Sequence, residues 1–110
     1  MIGQGWLGLL GLGARAGTLV VGTGLVRAEL QRDRVRAVVL AADRSPRTEQ
    51  KVERLARAKG VPVMRGPSAR SLGQQLGRSA VQAIGVMDKR LADGLVAKAS
   101  GRPAGGSSGD

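Results

Sequence analysis

The chain has no cysteine and no histidine, and its 110 residues include no phenylalanine, no tyrosine and a single tryptophan, Trp6. Without cysteine there is neither a disulfide framework nor a thiolate metal site. Without histidine the commonest zinc ligand and general base are both missing, so metalloenzyme and Ser-His-Asp readings fit poorly. The lack of Phe and Tyr removes the stacking platforms that RRM and OB-fold proteins offer to single strands. Long apolar runs are missing as well. The opening "MIGQGWLGLLGLG" has no basic n-region and no small-residue cleavage site, and it falls short of the ~20 residues a membrane span needs. A cytoplasmic protein with no membrane partner is expected.

Acids are scarce too. Eight Asp+Glu stand against eighteen Lys+Arg, a formal charge of +10, which favours a polyanionic partner. Fourteen of those cations are arginine, the residue suited to bidentate phosphate contacts. The carboxylates Asp43, Glu49, Glu53, Asp88 and Asp93 fall at helix caps or on helix surfaces. Glu53 stands four residues before Arg57 and is expected to pair with it. No nucleophile has a base beside it in any motif, so neither catalysis, nor a cofactor, metal or small-molecule substrate, is expected.

What the chain does have is glycine. Gly11, Gly13 and Gly17 give G-x-G-x-x-x-G, which nearly copies a dinucleotide fingerprint. That fingerprint needs a strand before it, and none precedes Gly11; nor does a lysine follow any glycine pair in the first fifty residues, as a P-loop requires. Gly22, Thr23 and Gly24 are different. They open a helix, where exposed backbone N–H groups and the helix dipole can meet a phosphate or a base edge.

Hydrophobic periodicity predicts helices over 6–16, 24–32, 46–59, 68–77 and 89–99, and strands over 18–21, 35–41, 61–64 and 80–86. Thr23, Ser45, Ser68 and Asp88 are the expected N-caps, Pro46 a first helical residue and Gly60 a C-cap. The second helix should turn Leu25, Val26, Ala28 and Leu30 inward. The stretch "VRAVVLA" reads as a central strand covered on both faces, and "VPVM" as a second buried one. Arg47, Lys51 and Arg54, at i, i+4 and i+7, should form a basic stripe. Helices alternating with strands through short connections give an α/β protein: a three-layer α/β/α sandwich with a central mixed sheet of about four strands. Residues 1–98 are expected as one domain and 99–110 as a disordered Gly/Ser/Pro-rich tail.

The order of these pieces resembles the kink-turn RNA-binding family of large-subunit ribosomal proteins, of the L-seven-Ae and L-thirty-e type, and especially its small bacterial YlxQ-like members. The resemblance rests on "AGTLVVGTGLV", "VRAVVLAADRSP", "GVPV" and "SLGQQLG" running into "AVQAIGV". It implies an α/β/α sandwich that holds RNA at the N-terminus of the second helix and at the loop before the last strand. Carried over by position, the implied site comprises Gly22, Thr23, Asp43 and the loop Ser79, Ala80, Val81, Gln82 and Ala83. The chain departs from the family where Gly24 and Leu25 stand in place of an Asn-Glu pair, and Ala28 in place of a lysine. Recognition of structured, kink-turn-like RNA of the ribosome or of transcripts is therefore expected to rest on shape and backbone, with Gly24, Arg27, Arg44 and Arg78 adding contacts. A protein-interaction module that kept this fold and lost RNA reading is the alternative.

Overall fold

The computed structural model describes residues 4–99. These form α1 (Gln4–Arg15), β1 (Leu19–Val21), α2 (Thr23–Gln31), β2 (Ala37–Leu40), α3 (residues 46–58), β3 (Val63–Arg65), α4 (Ala69–Gln75), β4 (Ala83–Val86) and α5 (Lys89–Ala99). The Gly/Ser/Pro-rich segment from residue 100 onward and the Trp6 side chain lie outside the described residues.

The strands form one mixed sheet in the order β1-β4-β2-β3. β3 runs parallel to β2, and β4 runs antiparallel to both β1 and β2. The two interior strands are the two almost wholly apolar segments, and all four residues of each are buried. β3 differs from the expectation of a second buried strand. It pairs with β2 alone, so only Met64 is buried and Arg65 is exposed.

Alternation along β2 divides the core in two. Ala37 and Val39 join Ile84 and Val86 of β4 on one face, packed against Leu10 of α1, Leu72 of α4, and Ala92 and Leu95 of α5. Val38, Leu40 and Ala83 meet Val26 and Leu30 of α2 and Val52 and Ala56 of α3 on the other. The result is the expected three-layer sandwich. Leu25, expected to point inward from α2, is instead 62% exposed. Val26 and Leu30, four apart, are enough to seat so short a helix on the sheet.

Local chemistry sets most element boundaries. Ser45 Oγ accepts from the Thr48 N–H at 3.3 Å, with Pro46 as first helical residue of α3. The helix closes at Gly60, whose φ of 73° lets its N–H reach the Arg57 carbonyl while the Val61 N–H reaches Ala56. Ser68 Oγ caps α4 through Ser71 N–H at 3.1 Å, and Asp88 Oδ2 caps α5 through Leu91 N–H at 2.8 Å. α3 has an irregular centre: Glu49–Glu53 is a π segment, and the Arg54 N–H donates to the carbonyl of Glu49, five residues back. The wider turn breaks the basic stripe expected along this helix. Arg47 and Lys51 face one flank and Arg54 the other.

Candidate nucleic-acid interface

The end of β1 and the start of α2 meet at Gly22. Its N–H donates to the Ala83 carbonyl of β4 at 2.9 Å, and its carbonyl accepts the first helical bond, from Val26, also at 2.9 Å. Making both bonds requires φ 109° and ψ 145°, which glycine adopts and other residues rarely do. Thr23 was expected as the cap but is the first helical residue, and no side chain caps α2. Its hydroxyl turns instead to Thr48 Oγ1, 2.9 Å away. The N–H groups of Thr23, Gly24 and Leu25 are left open at the positive end of the helix dipole.

The loop before β4 is fastened to α4. Arg78 N–H donates to the Gly73 carbonyl at 2.7 Å, and Val81 N–H to that of Ala69 at 2.9 Å. This approach needs Gly73: a Cβ there would stand 2.8 Å from the Ala80 N and Cα and the Arg78 carbonyl oxygen. Sequence reasoning passed over Gly73, and the only available signal was a glycine inside a helical pattern. Of the loop residues named as candidates, Val81 and Ala83 turn their side chains into the two cores, while Ser79 and Ala80 are exposed.

Gln82 ties this loop to α3. Its Oε1 accepts from the Ser45 N–H and from the Thr48 hydroxyl, each at 2.9 Å. Thr48 is 2% exposed, the one buried polar residue among those described. Its single proton goes to Gln82, and its lone pairs accept from Thr23 and, at 3.3 Å, from Ser45 Oγ. Neither Ser45 nor Thr48 was among the candidates, since nothing in periodicity pairs residues so far apart.

These pieces enclose an open groove of about 510 Å³, with Gly22, Thr23, Gly24 and Arg27 on one wall, Arg47, Thr48 and Lys51 on another, and Arg78, Ala80, Val81 and Gln82 on a third. Four cations line it, and no carboxylate does. Arg27 is partly anchored, Nη1 donating to the Lys51 carbonyl at 2.9 Å.

Four candidates do not line the groove: Ser79 and Ala83 of the same loop, and Asp43 and Arg44, which lie elsewhere. Asp43 Oδ1 accepts from the Ala69 N–H at 2.8 Å, at the start of α4. Arg44, whose side chain is 6% exposed, meets Glu53 Oε1 at 2.9 Å, Glu49 Oε2 at 3.3 Å and the Ala41 carbonyl at 3.2 Å. Both are tied to other parts of the protein. Arg44 sits on the far flank of α3, beside a second cleft that also holds Arg54, Arg57 and Arg65. There the expected pair forms, Arg57 Nη2 to Glu53 Oε2 at 2.8 Å. Hydrogen bonding from Arg57 first, and then from Arg44, holds the Glu53 carboxyl below its ordinary 4.5, against an opposing push from burial. Among the described residues no cluster of three or more acidic side chains is placed to hold a metal ion, and no helix is long and apolar enough to cross a membrane.

Residues 5–96 match the model of the ribosomal protein L7Ae/L30e/S12e/Gadd45 family. The chain belongs to this family. It is similar to the RNA-binding protein YlxQ of Bacillus subtilis, with 34% identity over 96 residues that span 87% of this chain and 96% of the relative. The RNA-binding protein BH0128 of Halalkalibacterium halodurans is 36% identical over 64 residues, 58% of this chain and 78% of that one. Among solved structures, a Bacillus halodurans protein of unknown function superimposes with a TM-score of 0.82 at 32% identity, covering 86% of this chain and 96% of its own. A 15.5kD RNA binding protein of Giardia lamblia has the same fold, with a TM-score of 0.74 at 21% identity and coverage of 86% and 84%.

Proposed function

We propose that the groove between α2, α3 and the 78–82 loop binds structured RNA of the kink-turn type, ribosomal or messenger, in the cytoplasm and without catalysis or cofactor. One observation carries this reading: four cations and three uncapped backbone N–H groups converge where no carboxylate is present. Arg47, Lys51 and Arg78 meet phosphates, which set register and affinity, while the α2 terminus takes the sharply turned backbone. Gly22, Thr23, Gly24, Arg27, Ala80 and Gln82 complete the contact, to which sequence reasoning would add Asp43 and Arg44; their present bonds make them supports of α4 and α3. Two relatives described as RNA-binding proteins agree with the reading.

The test is a salt-series titration of the full chain with a kink-turn RNA, the same RNA with its G·A pairs replaced, and an unrelated duplex. Preference for the intact kink-turn is expected, with a log-log salt slope of roughly 0.7 to 0.9 per phosphate contacted. Equal binding to all three would overturn it. The exposed Leu25 at the tip of α2 favours a second reading, a protein-docking surface. Its signature is a protein partner retained after nuclease treatment with no selective RNA.

A further inference from the structure

Resting on the RNA-binding reading above, we propose that Gln82 is the groove's base-reading residue, selecting a nucleobase with a keto oxygen at the 6/4 position over one with an exocyclic amine there. A glutamine amide normally presents either its oxygen or its NH2, by turning over. This one cannot. The Ser45 backbone N–H is a donor under all conditions and stands 2.9 Å from Oε1, with the Thr48 hydroxyl at the same distance. Turning the amide over would press NH2 against a backbone N–H that has no other orientation.

The consequence lies at the other end of the group. Nε2 has no partner among the described residues and is not sealed from solvent, and Gln82 lines the groove. The groove therefore holds a neutral side-chain donor of fixed direction, beside hydroxyls of Thr23 and Thr48 whose protons are already committed. Phosphates form stronger, charge-assisted bonds to Arg47, Lys51 and Arg78. A neutral acceptor is what remains for Nε2. On an unpaired base the 6/4 position distinguishes the classes: guanine O6 and uracil O4 accept, whereas adenine N6 and cytosine N4 donate.

The test uses a kink-turn RNA in which each unpaired bulge nucleotide is varied in turn to G, U, A and C. At one position wild type should favour G and U over A and C by about 5- to 10-fold, the scale of a single neutral hydrogen bond. Inosine, which keeps the keto oxygen, should bind as guanine does; 2-aminopurine, which lacks it, should bind more weakly than guanine. Gln82→Glu keeps an acceptor toward Ser45 and Thr48 but turns the donor into an acceptor, so the base order at that position should reverse. A variant that binds more weakly but in the same base order overturns the proposal, as does a wild type indifferent to the base at every bulge position. The inosine and 2-aminopurine comparison decides the matter with wild type alone if the variant does not fold. Failure of the RNA reading itself looks different: wild type would then bind kink-turn and duplex equally.

Discussion

Thr23 Oγ1 and Thr48 Oγ1 stand 2.9 Å apart across 25 positions of sequence, and the proton between them belongs to Thr23. Thr48 has given its own to Gln82 Oε1. This short relay joins the start of α2, the first turn of α3 and the loop before β4, so the three walls of the groove are fixed against one another. Replacing Thr48 with valine keeps the shape but leaves Gln82 and Thr23 each short of a partner. We expect a loss of about 1 to 3 kcal/mol, read by urea denaturation, with Thr48→Ser recovering most of it. A fully neutral Thr48→Val would show that the relay contributes nothing.

Gly73→Ala sets two effects against each other. An alanine in a helix interior normally gains roughly 1 kcal/mol over glycine. Here the new methyl would meet backbone atoms of Arg78 and Ala80 at 2.8 Å, which no rotamer change can relieve. Overpacking of this kind costs typically ~1 to 3 kcal/mol, so a net loss of stability is expected. Because the displaced segment carries Ala80 and Gln82, RNA affinity should fall further than stability does. A more stable variant with intact binding would refute this account of the loop.

Gly22→Ala isolates backbone strain. Beyond its own chain neighbours no atom lies within 4 Å of the added Cβ, so any cost is conformational. A residue forced into this region costs on the order of 1 to 3 kcal/mol. Thermal melting should show that loss, and binding should suffer as well, since the uncapped N–H groups of α2 take their direction from this turn. Equal melting of variant and wild type would mean the chain reaches α2 by another path.

Glu53 gives a pH dependence with a definite sign. Its folded value lies below the ordinary 4.5 because Arg57 and Arg44 favour the charged carboxylate. The stability it contributes is complete above 4.5 and is lost as pH falls through the lower, folded value. Acid denaturation of wild type should be steeper below 4.5 than that of Glu53→Gln. At neutral pH the same variant should lose only about 1 kcal/mol, the scale of a solvent-accessible ion pair, since Glu49 and the Ala41 carbonyl still serve Arg44. Parallel pH profiles would remove Glu53 from this role.

Much of the fold could be read from residues whose effects are local. Ser45, Ser68, Asp88 and Gly60 mark helix ends because a cap acts within four residues of itself, and the apolar runs of β2 and β4 mark strands covered on both faces. Misreadings arose where a distant partner decided. Thr23 looked like a cap, but the bond from Gly22 to Ala83 of β4 puts Gly22 at the cap position and leaves the Thr23 hydroxyl to Thr48. Leu25 looked buried because periodicity cannot say how wide a face a short helix uses. Arg47, Lys51 and Arg54 looked like one stripe because that spacing assumes a regular helix. The groove was half legible: Gly22, Thr23, Gly24 and Arg27 meet Arg78, Ala80, Val81 and Gln82 along it, whereas Ser79 and Ala83 do not line it and Asp43 and Arg44 are bound to partners 26 and 9 residues away.

The π segment of α3 also gives the molecule a direction. On one flank of the helix, Arg47 and Lys51 face a groove that holds no carboxylate; on the other, Glu49 and Glu53 offset Arg44 and Arg57. Both flanks carry cations, but Glu49 and Glu53 stand among Arg44, Arg54, Arg57 and Arg65 on one side while the groove side has no acid, so positive charge is less offset there. A polyanion drifting in from solution should therefore be turned toward the groove before contact. That preference in approach should fade as salt rises, since a screening length of about 10 Å at 0.1 M hides one flank from a ligand nearing the other.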